Sequence, residues 1–307
     1  MANTVVFSKV RLSVKRWMKT ALAVPGFVCS FQRPHLRVLL YHRVNPYPFA
    51  ALGAVSRELT VHPDMFEAQL QYLSRRGYRT IGVEGFYRMM TSCQAIDSKA
   101  LLITFDDGYE DNLLWAAPLL RKYGFSAVIF VISDFLGRVT ADVWPSSDPA
   151  IYGKFLDTEQ INELQRSGVE FGSHTVRHPL LTTLAPELQF EELLASKRHL
   201  EDVIGGPVRC VAYPGGDFDA ATEQCTEKAG YTLAFSTIPG VNRPRTPLTA
   251  LRRTEVSASD SLLVFRMKMA GKLDWLWFKE SRVLRRWIGR LNHLLMPLAQ
   301  GRHAADD

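Results

Sequence analysis

The chain is poor in cysteine, with four among 307 residues (Cys29, Cys93, Cys210 and Cys225), and no two form a C-x-x-C pair. That scatter implies no disulfide framework and no thiolate zinc knuckle, and it fits buried thiols. No run reaches the uninterrupted apolar length of a membrane-spanning helix. There is no internal repeat and no helix-turn-helix, zinc-finger or RNA-binding signature. The formal net charge of +6, concentrated toward the two ends, therefore does not point to nucleic acid as a partner. Arg11, Lys15, Arg16 and Lys19 precede the apolar stretch Ala21–Phe31, but Pro25 and Gly26 interrupt it and no small-residue cleavage site follows. The expectation is a basic amphipathic lead-in over residues 1–35 that stays attached, with a cytoplasmic or inner-membrane-face location favoured over export.

The composition, 47% hydrophobic and 22% charged, is that of a globular chain able to bury a core. Short apolar runs alternate with helical periodicity along most of the chain. Strands are predicted at Val38–Tyr41, Tyr78–Ile81, Ala100–Phe105, Ser126–Ile132, Val169–Gly172, Arg209–Tyr213 and Tyr231–Ser236. Helices are predicted at Thr60–Gly77, Val83–Met90, Leu113–Tyr123, Glu159–Arg166, Pro186–Ile204 and Thr222–Ala229. The alternation predicts an α/β fold, a parallel sheet flanked by helices, either open or closed into a barrel. His42, Asp106, Asp107 and His174 each stand just after an apolar strand, where parallel α/β folds gather their sites.

Four stretches carry chemistry. In Thr104-Phe105-Asp106-Asp107-Gly108-Tyr109, two adjacent carboxylates end a buried strand. Their mutual repulsion and lost hydration call for a cation or a shared proton, although Asp-Gly is equally a turn pair. In Ser173-His174-Thr175-Val176-Arg177-His178-Pro179, the His-x-x-x-His spacing predicts two imidazoles on one face of a helical turn. Two histidines and an aspartate would make a three-ligand metal set with open positions. Ala212-Tyr213-Pro214-Gly215-Gly216 offers backbone N–H groups to a developing oxyanion, or a plain tight turn. Leu40-Tyr41-His42 places a histidine at a strand end, a proton donor near neutral pH or a structural imidazole.

Taken in order, T-F-D-D-G-Y, H-T-x-x-H-P and Y-P-G-G resemble the polysaccharide deacetylases of carbohydrate esterase family 4, also called the NodB homology domain, over about Leu36 to Val256. The resemblance implies a distorted (β/α) barrel, here with helical N- and C-terminal extensions around a catalytic domain at 36–260. It implies a metal-dependent hydrolase removing acetyl groups from an N-acetylated glycan, with Zn2+ the expected divalent ion; the alternatives are an O-acetyl polysaccharide esterase and a non-catalytic carbohydrate-binding protein of the same fold. Asp106 matches the general base, and Asp107, His174 and His178 match the metal triad. Gly215 stands where the oxyanion-stabilising N–H lies. The usual third motif, Arg-x-Pro-Tyr/Phe, is altered: Ala212 replaces its arginine and Gly215 its aromatic. Arg252 or Arg253 is the candidate replacement for the arginine. The family's late Leu-x-His has a match at Leu291-Asn292-His293, but inside the basic tail and beyond the resembling stretch; Leu40-Tyr41-His42, directly on a strand, is the better match, which resembles the circularly permuted branch containing poly-N-acetylglucosamine deacetylases. His42 is then the expected acid.

Aromatic rings stack on sugars, so Tyr109, Tyr213 and Trp144, the last in the polar insertion Gly137–Lys154, are candidate substrate contacts. In the C-terminal segment 261–307, Leu284, Trp287, Ile288, Leu291 and Leu295 share a helical face, with Lys279, Arg282, Arg285, Arg286 and Arg290 around it. Such a helix either lies on an anionic membrane surface or caps the barrel.

Overall fold

The protein's computed structural model describes residues 34–48, 52–53, 56–92, 95–144 and 153–275. The expected terminal helices fall largely on 1–33 and 276–307, outside the described residues. No helix among the described residues is long and apolar enough to cross a membrane.

Among the described residues ten strands form the framework: β1 (Arg37–Tyr41), β2 (Arg43–Val44), β3 (Thr60–Val61), β4 (Arg79–Thr80), β5 (Ala100–Phe105), β6 (Val128–Val131), β7 (Glu170–Ser173), β8 (Cys210–Ala212), β9 (Leu233–Phe235) and β10 (Thr254–Glu255). The main sheet is parallel, in the order β10-β1-β5-β6-β7-β8-β9, with β4 also paired to β5. Leu251 bridges Phe235 of β9, and three residues later Thr254 pairs with Leu39 of β1. The segment 251–255 thus carries the sheet from β9 back to β1, giving the distorted (β/α) barrel.

Strand alternation divides the core. One set of side chains, including Val38, Leu102, Phe130, Ala212 and Phe235, fills the barrel together with Phe86 from the helix Val83–Thr91. Phe130 and Phe86 lie 5.4 and 6.0 Å from Phe235, centroid to centroid. The other set, including Tyr41, Ile103, Phe105 and Val211, meets the surrounding helices. The helix Pro63–Arg75 shows why: Phe66, Leu70 and Leu73 recur on its buried face, His62 caps its start, and Pro63 occupies its first turn.

That helix starts later than the periodicity predicts. Thr60 and Val61 belong to β3, paired with Arg43 and Val44. Both are β-branched, and Pro63 disfavours helical backbone in the residue before it, so the helix cannot extend back through them. The predicted helix Leu113–Tyr123 is also irregular, because Asn112–Ala116 is a π-helical turn before the helix Ala117–Lys122.

Candidate metal centre and active site

Asp106 and Asp107 emerge from β5, His174 from β7, and the Ala212–Gly216 turn from β8. These are C-terminal strand ends, so the side chains gather at one mouth of the barrel. Asp107, with φ 73°, Thr175, with φ 66°, and His178, with φ 61°, are the non-glycine residues with positive φ among those described. All three belong to the motifs, and such backbone persists only where surrounding contacts hold it. Gly108, at φ +77°, is required sterically: a Cβ there would lie 2.6 Å from Val131 Cγ1.

The two histidines do not share a helical turn as expected. With Thr175 and His178 left-handed, 174–178 is a tight loop. Ser173 Oγ accepts from Thr175 N at 3.1 Å, and Thr175 Oγ1 accepts from His178 N at 3.1 Å. Glu192 Oε2, on the helix Pro186–Ile204, accepts from Val176 N and Arg177 N. The loop still brings the imidazoles together, with ring centroids 4.8 Å apart.

His174 Nε2 lies 3.4 Å and His178 Nε2 3.6 Å from the same oxygen, Asp107 Oδ1. One ligand atom from each of the three residues falls within 4.8 Å of the others. Ligands about 2.0–2.1 Å from a tetrahedral ion are roughly 3.3–3.4 Å apart, so the two approaches to Asp107 Oδ1 match a zinc-like cation. The other nitrogen of His174, Nδ1, lies 2.7 Å from the carbonyl oxygen of Ala212. That contact assigns a proton to Nδ1 and leaves Nε2 as the nitrogen that would ligate an ion once it gives up its own proton. The altered third motif therefore still serves the site, through the backbone of Ala212.

Electrostatics suit a cation. Burial alone would raise the Asp107 carboxyl, but the hydrogen bond from His174, with the His42 and His178 imidazoles nearby, holds it well below the usual carboxylate range. Burial and the neighbouring His174 lower His178 to about 4, keeping it neutral and able to ligate. His174 is buried as well, yet Asp106 and Asp107 outweigh that and raise it above 6.5.

Asp106 points elsewhere. Arg253 grips both its oxygens, at 2.6 and 2.7 Å, and donates a third bond to Ser236 O. Burial pushes Asp106 up, but Arg253 prevails and holds it ionised. Of the two candidate replacements for the missing motif arginine, Arg253 fills the position.

His42 follows β1 directly, beside β5, and is close enough for its charge to act on Asp106, Asp107 and His178. Gly215 has φ 60°, and no acceptor among the described residues takes its N–H. Leu180, half exposed, packs against it.

The aromatic expectations divide. Tyr213 is fully buried, its hydroxyl donating to Thr249 O at 2.9 Å and its ring stacked on Phe218, so it is a core residue and not a substrate contact. Tyr109 is only 3% exposed, its ring occupied by Phe155 and by the Arg43 guanidinium. It too is corrected: its phenol faces Asp107, whose charge adds to burial in raising the Tyr109 pKa. Trp144 is partly exposed and lies edge-on to His178 at 5.6 Å, at the rim of the centre.

A parallel barrel bearing two histidines and an aspartate around one point, with a second ionised aspartate beside them, has the construction of a metal-dependent hydrolase. The polysaccharide deacetylase family profile matches residues 94–234. YxkH of Bacillus subtilis (strain 168), assigned to the polysaccharide deacetylases, is 31% identical over 222 residues, 72% of this chain and 71% of its own. The solved structure of Streptococcus pyogenes deacetylase PplD in complex with acetate is similar with a TM-score of 0.67 and 27% identity, over 78% of this chain and 99% of that one. The poly-beta-1,6-N-acetyl-D-glucosamine N-deacetylase of Escherichia coli (strain K12) is 24% identical over 125 residues, 40% of this chain but 19% of that protein. The chain belongs to the polysaccharide deacetylase family.

Proposed function

We propose that the protein hydrolyses the N-acetyl amide of N-acetylated sugars in a polysaccharide or glycan precursor, with a zinc-type divalent ion held by Asp107, His174 and His178. The observation that carries this reading is the approach of both imidazoles to one oxygen of Asp107, beside a separately ionised Asp106. When bound, the ion would polarise the acetyl carbonyl and acidify the attacking water. Asp106 takes the proton of that water as its oxygen bonds to the acetyl carbon. The Gly215 N–H donates to the oxygen on which negative charge develops. His42 delivers a proton to the nitrogen as the C–N bond breaks, so acetic acid and a free amine leave; the acid gives its proton to solvent, and loss of a proton from Asp106 and regain of one by His42 restore the site. Trp144, at the rim, offers an apolar face to a sugar ring.

The test is acetate release from N-acetylglucosamine oligomers and from O-acetylated sugars, with chelator and with added zinc. Release from the oligomers, abolished by chelation and restored by zinc, is the expected result. Release confined to O-acetylated sugars would replace the amide by an ester. Asp106→Asn should lower turnover by roughly 10²–10⁴-fold with metal retained; near-normal turnover would remove Asp106 from its role.

The basic, tryptophan-bearing stretch from Gly271 to Leu295 is further proposed to contact an anionic membrane surface. Equal flotation with anionic liposomes by the full chain and by one ending near Gly271 would end that idea.

A further inference from the structure

Asp111 and Asn112, just beyond the paired carboxylates, are both buried and lead into the π-helical turn. The Asn112 amide donates to two main-chain carbonyls, Tyr109 O at 2.9 Å and His42 O at 3.3 Å. One residue earlier, Asp111 Oδ2 accepts from Arg43 Nε at 2.6 Å and from Asn45 Nδ2 at 3.1 Å. The Arg43 guanidinium also sits 4.4 Å from the centre of the Tyr109 ring. Four contacts thus tie the segment His42–Asn45 to the segment Tyr109–Asn112. Each segment adjoins one half of the proton-transfer machinery: His42 heads the first, and Asp106 and Asp107 stand just ahead of the second. The His42 ring has no visible tether of its own. Its Nδ1 is buried without a hydrogen-bond partner among the described residues, so the main chain beneath it sets where the ring lies.

We propose that Asn112 and the buried Arg43–Asp111 pair are positioning residues that hold the proton donor His42 in register with the base and the metal ligands. This rests on His42 being the donor, as proposed above. None of the three acts on the reacting atoms; they act through the strand end that carries His42. Leaving-group chemistry gives the idea a signature. An amine departs poorly unless protonated, whereas a nitrophenolate departs unaided. Displacing His42 therefore slows amide hydrolysis and spares an activated ester, while a damaged fold or a lost ion slows both.

The experiment uses the full-length, zinc-loaded protein, comparing kcat on N-acetylglucosamine oligomers with kcat on 4-nitrophenyl acetate. Zinc content and circular dichroism are recorded for His42→Asn, Asn112→Ser, Arg43→Met and Arg43→Lys. His42→Asn should lose roughly 100-fold or more on the amide and little on the ester. Asn112→Ser and Arg43→Met should lose about 10- to 100-fold on the amide, as expected for a donor displaced by about 1 Å, with the ester rate and zinc content kept. Arg43→Lys, which retains a cation opposite Asp111, should recover part of the loss. Should Arg43→Met fail to fold, Asn112→Ser decides, since it removes a single side-chain amide. If His42→Asn shows no amide-selective loss, the donor assignment itself fails. If it does, but Asn112→Ser slows both substrates alike or neither, the positioning role is overturned and the donor assignment stands.

Discussion

Arg253 and Asp106 meet in a two-pronged ion pair across 147 positions of sequence, with 0% and 3% of their side chains exposed. The guanidinium keeps a carboxylate ionised in a place where burial would protonate it.

Removing the partner should therefore do two separable things. Arg253→Met leaves Asp106 buried and uncompensated, at an expected cost of about 3–5 kcal/mol in stability by urea unfolding. Because Arg253 holds the Asp106 pKa down, its loss moves that pKa up, and the base ionises only at higher pH. The acid limb of the kcat/KM profile should shift to higher pH, less so in Arg253→Lys. An unmoved limb would mean that Arg253 does not control the base.

Metal uptake should release a proton in a defined window. An ion needs both imidazoles neutral. His178 is neutral above about 4, whereas His174, raised above 6.5 in the metal-free protein, is still protonated at pH 6. As pH falls through the His174 value, zinc must displace one proton, and affinity should drop about tenfold per pH unit. Calorimetry in buffers of different ionisation enthalpy, between pH 5 and 6, should count one proton per ion from the histidines. Two would contradict the neutrality of His178, and none would contradict the protonation of His174.

Gly215 should not tolerate a side chain. At φ 60° an L-residue is strained by roughly 1–2 kcal/mol, and a Cβ would come within 3.0 Å of Leu180 Cδ2. Relief of that contact moves the N–H. Gly215→Ala should lower kcat about tenfold or more with KM little changed, as for a disturbed oxyanion donor. A change in KM alone would assign the turn to binding.

Trp144 lies edge-on to His178, beside the candidate metal centre, where it is proposed to meet a sugar. Trp144→Ala should raise KM for N-acetylglucosamine oligomers severalfold, and it should weaken zinc by about tenfold through a loosened His178. If zinc affinity falls while KM holds, Trp144 is a support for the ligand and not a sugar contact.

Much of the site was legible because polar residues that end long apolar runs can hardly be anything but strand-end groups. Leu101 to Phe105 reads as a buried strand, and the aspartates after it lie where such a strand must stop. What stayed hidden depends on which distant segments touch. Nothing local marks Arg253 over Arg252 as the partner of Asp106, because the choice is made by the register of the segment that closes the sheet. Glu192 lies fourteen positions beyond His178 on a helix face, and no spacing rule links it to the backbone it anchors. The His-x-x-x-His spacing misled about conformation, since a helix and a left-handed loop can both bring residues four apart into contact. Tyr213 misled because an aromatic in a motif looks functional, while its place at the end of β8 turns the ring into the core.

The closing segment also orders events during synthesis. Asp107, His174 and His178 all lie at or before position 178, whereas the guanidinium that keeps Asp106 ionised arrives at 253, on the stretch that joins β9 to β1. If Asp106 is the base proposed above, a nascent chain would carry its ligand residues before the guanidinium that readies that base is made.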